Sequence, residues 1–110
     1  MRGQVLLLAS VMMLAVAPAV VPAQEAGDPR SGHTVARQVC GDCHAVEKGQ
    51  PRSPNAGAPT FAAIAAVPGI TAAALRASLH TSHRDRTMPR LIIPPEELRD
   101  VIAYILSLQP

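Results

Sequence analysis

Beyond residue 23 this chain has two aromatic side chains, Phe61 and Tyr104, and no tryptophan with which to fill a centre. Of its 110 residues 48% are hydrophobic, but much of that share is alanine or lies in the first 23 residues. Small domains that lack bulky core residues lean on disulfides, metals or cofactors, because they bury too little apolar surface on their own. The sequence therefore predicts a fold assembled around a bound group.

Cys40-Gly41-Asp42-Cys43-His44 is the candidate anchor for such a group. The C-x-x-C-H pattern marks covalent haem attachment. Two cysteines three apart at a helix end lie on one side, so both sulfurs reach the two vinyls of one haem. His44 follows directly and is placed to bind the iron as proximal ligand. Gly41 leaves room where the backbone meets the ring edge.

Three other chemistries use similar residues. A disulfide between Cys40 and Cys43 closes too short a loop to stabilise much, and it gives His44 no role. A thioredoxin-like pair follows a strand in a βαβ unit, whereas the residues before Cys40 have helical spacing. A structural zinc module could draw on Cys40, Cys43, His80 and His83, though the wide gap between the pairs is unlike a compact finger. Haem fits the motif, the thin core and the start of the chain together.

That start has the form of an export signal. Arg2 precedes an apolar run from Val5 to Ala17, and small residues follow, with cleavage expected after Ala23 or, alternatively, after Ala19. The run to Val21 is slightly short of the ~20 residues that cross a bilayer, and Pro18 interrupts it. The expected organisation is a signal peptide at 1–23, one domain at 24–110 and a periplasmic location; an uncleaved signal would tie the protein to a membrane. The formal net charge of +2 falls to +1 when Arg2 leaves. No basic excess remains to drive nucleic-acid binding.

Along residues 24–110 the pattern is helical. A helix from near Ser31 should carry Val35, Ala36 and Val39 on one face and run into Cys40. Residues 47–59 hold three prolines and two glycines and read as a loop. Thr60 suits the cap of a helix at Phe61–Ala66, and Thr71 the cap of another from Ala72 to about Leu79. Residues 80–93 read as a loop, and Leu91-Ile92-Ile93 has no alternating neighbour to pair with as a strand. Pro95 opens the last helix, Glu96 and Glu97 suit its first turn, and Leu98, Val101, Ile102, Ile105 and Leu108 form its apolar stripe. The expected fold class is all-α, with about four short helices.

The 24–110 segment resembles the class I cytochrome c family over nearly its whole length. Gly32, eight residues before Cys40, sits where that family keeps a glycine at the crossing of its first and last helices. Asp100-Val101-Ile102-Ala103-Tyr104-Ile105 is similar to the family's last-helix pattern, with Tyr104 at the crossing. Ala58-Pro59 resembles the segment whose proline carbonyl accepts a hydrogen bond from the proximal histidine, which implies that role for Pro59. Met88-Pro89 resembles the loop that supplies methionine to the distal side of the iron. Two departures stand out. Ala36 replaces the usual large residue four before Cys40, so the crossing should be looser or be filled by Tyr104 and Phe61. No tryptophan is present to bond a haem propionate, which leaves an arginine or a backbone amide.

Met88 is the expected distal ligand. The 43 residues between His44 and Met88 leave room for two short helices around the ring, and Pro89 stiffens the chain just beyond it. His80 and His83 are rivals, and Met1, Met12 and Met13 leave with the signal. With both axial positions filled the iron has no open site. The expected function is then one-electron transfer, as a carrier or as a subunit of a larger oxidoreductase with unidentified redox partners, and not catalysis. The alternative is a five-coordinate haem that binds a gas or peroxide. Arg76, Arg84, Arg86 and Arg90 against Asp85 give a local charge of +3. These arginines suit either docking to an acidic partner or pairing with the propionates.

Overall fold

The computed structural model describes residues 15–19, 26–81, 83 and 91–110. Most of the expected signal segment lies outside these residues, as do Met88, Pro89 and the charged residues Arg84, Asp85, Arg86 and Arg90.

Helix α1 spans Pro29–Val35, starting two residues before the expected Ser31. Its beginning is set by Asp28, whose side chain accepts from the Arg30 N–H at 2.8 Å and from the Ser31 hydroxyl at 3.1 Å. These bonds hold the Asp28 carboxyl below its ordinary pKa, the Arg30 N–H foremost. Pro29 then takes the first helical position, where a missing N–H costs nothing. After Val35 the helix widens into a π-helical turn, Ala36–Cys40. Val39, near the end of this turn, lines an apolar cavity together with Cys40. Ala36 is fully buried, whereas Val39 is 41% exposed.

Helix α2 (Phe61–Ala65) is capped by Thr60, whose hydroxyl accepts from the Ala63 N–H at 3.0 Å. Helix α3 (Ala72–Thr81) is capped in the same way by Thr71 at 3.1 Å. It runs two residues past Leu79 because nothing in Leu79-His80-Thr81 breaks a helix. Helix α4 (Pro95–Ser107) buries Leu98, Val101, Ile102, Tyr104 and Ile105, and Leu108 packs beside them. Leu91, Ile92 and Ile93 are extended without pairing, and the described residues contain no strand. The fold is all-α.

Two helices meet at α1 and α4, and the contact is close. A Cβ placed on Gly32 would overlap the Asp100 carbonyl oxygen and lie 2.9 Å from Tyr104 Cβ. Gly27, at φ +64°, is equally confined, by the Arg99 carbonyl. The Asp28 N–H donates to Asp100 Oδ1 at 2.7 Å and fixes the same end. The crossing is therefore not loosened by Ala36. Tyr104 and Phe61, with ring centroids 6.3 Å apart, fill the volume instead. Burying side chains such as Val101 and Ile105 is worth about 1.5–3 kcal/mol each, and α2 and α3 both pack on this α4 face.

Candidate haem site

The π-helical turn delivers Cys40 buried at its end, and the chain then curls tightly. Both the Cys43 and His44 N–H groups donate to the Cys40 carbonyl, at 3.2 and 2.9 Å. Gly41 is needed for this curl, since a Cβ there would lie 2.6 Å from the Arg37 carbonyl oxygen. Cys40, Cys43 and His44 thereby line one cavity, and no disulfide joins the two cysteines.

The loop expected at 47–59 folds back onto the motif. The Asn55 N–H donates to the Cys43 carbonyl at 3.1 Å, and the Ala45 N–H to the Ser53 hydroxyl at 2.9 Å. The Phe61 N–H donates to the Ala45 carbonyl at 2.9 Å and closes the loop. At its start, the Tyr104 hydroxyl donates to the Val46 carbonyl at 2.6 Å, and His33 Nε2 lies 2.9 Å from both Glu47 carboxylate oxygens. These anchors bring the Pro59 carbonyl 2.6 Å from His44 Nδ1. A carbonyl only accepts, so Nδ1 carries the proton and Nε2 keeps its lone pair for a metal. The contact is the one the family resemblance implies for Pro59. The buried ring of His44 also packs against Phe61, with centroids 5.6 Å apart.

The cavity has a volume of about 610 Å³, within the range of sites that hold small organic ligands. Phe61, Ile64, Leu75, Leu79, Leu91 and Ile105 give it apolar walls. A flat apolar macrocycle with two points of covalent attachment and one nitrogen donor fits these residues. A polar atom without a partner marks the side facing His44. His83 Nδ1 is buried and unbonded, and the His83 ring lies 6.2 Å from that of His44, centroid to centroid. Burial and then the nearby His44 push the His83 pKa down, with the Leu79 backbone carbonyl opposing.

The competing chemistries lose ground here. Burial, with Cys43 alongside, pushes the Cys40 thiol up to about 11. A thioredoxin-like cysteine requires the opposite shift. The zinc alternative loses its ligand set. Among the described residues no three cysteine, histidine or acidic side chains gather as a metal cluster, and His80 is exposed on α3. Of the two histidines that rival Met88, His83 belongs to the cavity wall. Leu75, Leu79 and His83 are four residues apart, and that helical period is the signal that places all three on one face. Met88 lies outside the described residues.

Comparison with known proteins gives a consistent picture. Residues 30–109 match the family model described as cytochrome c. The chain is similar to cytochrome c-552 of Bradyrhizobium diazoefficiens, with 34% identity over 85 residues that make up 77% of this chain and 79% of the relative. No solved structure matches it.

Proposed function

Because this chain belongs to the cytochrome c family and carries covalent haem c as an electron carrier, we propose that it works in the periplasm, with its iron held between His44 and Met88. The observation that carries the reading is the His44 ring. Its Nδ1 is committed to the Pro59 carbonyl at 2.6 Å, and its other nitrogen is left for the iron. Such a partner fixes the ring's orientation and raises its basicity as a ligand.

Cys40 and Cys43 would hold the haem through two thioethers, which keeps it in place through repeated oxidation and reduction. When bound, the haem supplies the one-electron couple. The apolar walls from α2, α3 and α4 exclude water, and low local polarity penalises the added charge of the oxidised state. Met88, a soft neutral donor, would complete the coordination and raise the potential relative to nitrogen ligation. A vacant distal position, as in a gas- or peroxide-binding protein, suits this chain less well, since both His83 and Met88 offer donors on the chain after α3.

Export through residues 1–23 places the carrier outside the cytoplasm, where it serves either as a free shuttle or within a larger oxidoreductase. The arginines at 76, 84, 86 and 90 would steer it toward an acidic redox partner or pair with the propionates. Voltammetry and near-infrared spectroscopy of the haem-loaded protein test the reading. A reversible one-electron wave and the sulfur-to-iron charge-transfer band of ferric Met-ligated haem are expected. An absent wave contradicts the carrier, and an absent band contradicts Met88. Steering adds that the reaction with the partner slows as salt rises, less so in R84Q/R86Q. Identical salt responses would remove docking from the roles of these arginines.

A further inference from the structure

Two imidazoles bound to opposite sides of one metal, at the ~2 Å nitrogen–metal length usual for histidine, hold their centroids roughly 6 Å apart. His44 and His83 line the same cavity with ring centroids 6.2 Å apart and planes tilted by 45°, so they are not stacked. The cavity between them is lined by both cysteines of the attachment motif. His83 Nδ1 is buried without a hydrogen-bond partner, a costly state for a nitrogen that finds no ligand. Helix α3 directs the ring there, since His83 lies two residues past Thr81 and continues the Leu75–Leu79 spacing of four.

We propose that His83 is a reserve distal ligand, which binds the iron opposite His44 whenever Met88 leaves that position. This rests on the reading of His44 and Met88 above and adds a second coordination state to it. His44 fills one axial site, so His83 and Met88 exclude each other. Exchange moves no electron and breaks no covalent bond: the neutral imidazole gives its lone pair as the thioether withdraws its own. Imidazole suits iron well, while thioether favours softer metal states. The His44/His83 state therefore has a lower potential than the His44/Met88 state.

The test uses the haem-loaded protein with Met88→Ala, compared with the double variant His83→Ala/Met88→Ala. The single variant should lose the near-infrared band yet remain low-spin in its ferric electron paramagnetic resonance spectrum, and resist carbon monoxide when reduced. The double variant should turn high-spin and bind carbon monoxide. If both variants are equally high-spin, the proposal fails. Should Met88→Ala not accumulate, alkylating Met88 in the assembled wild-type protein removes the thioether as a donor, and the same low-spin result is required. The wild-type spectrum separates this proposal from the reading beneath it. A missing near-infrared band with high-spin His83→Ala would overturn Met88 while keeping His83 as a ligand.

Discussion

At the scale of single residues, the described site depends on polar atoms that have one available partner each. Tyr104 is the clearest. Its hydroxyl is buried and donates to the Val46 carbonyl at 2.6 Å, 58 positions away in sequence. Replacing it with phenylalanine leaves that carbonyl without its donor, and about 1–2 kcal/mol of stability should be lost. The phenol is also pushed above its ordinary value of 10.0, by burial first and by the Glu47 charge second. A raised pKa means that the folded state prefers the neutral phenol. The stabilisation is thus complete below pH 10 and declines as pH rises through the folded value. Denaturant midpoints measured across alkaline pH should fall for the wild type and fall less steeply for Y104F. Parallel curves would show that the phenol does not titrate with unfolding.

The motif at Cys40–His44 was legible at this scale because covalent haem attachment needs those residue types in one order. The contact between Pro59 and His44 was legible through the family pattern. His83 stood only as a rival to Met88, because its place on the cavity wall depends on α3 running past Leu79. A four-residue spacing from Leu75 was the only local sign of it.

At the scale of elements, the α1–α4 crossing governs the geometry of everything else. The residues Leu98, Val101, Ile102 and Ile105 announced the buried face of α4, and the threonines announced α2 and α3, since each signal is local. The π-helical turn at Ala36–Cys40 left no such signal. It follows from how α1 must rest on α4 while delivering Cys40 to the cavity, which is a tertiary demand, and it sets Val39 on the cavity wall beside Cys40. Gly32 tests the crossing. Gly32→Ala adds a helix-favouring methyl that would overlap the Asp100 carbonyl, so the backbones must separate. The propensity gain is up to about 1 kcal/mol; overpacking costs about 1–3 kcal/mol, and more where backbone has to move. A net loss of stability is expected in thermal melts of the haem-loaded protein. A variant as stable as the wild type would mean that the helices do not touch there.

At the scale of the whole molecule, Phe61 and Ile64 from α2, Leu75 and Leu79 from α3 and Ile105 from α4 wall a cavity of about 610 Å³. The cofactor would occupy the space that further large side chains take in other small domains. This explains why composition alone pointed to a missing component, and why only the motif told which one it was. The most direct measurement is the intact mass of the denatured protein after production in a host that attaches haem. The account predicts residues 24–110 plus one haem that survives denaturation, and no haem on the chain in C40A/C43A. A wild-type chain that is soluble, folded and of polypeptide mass alone would contradict it.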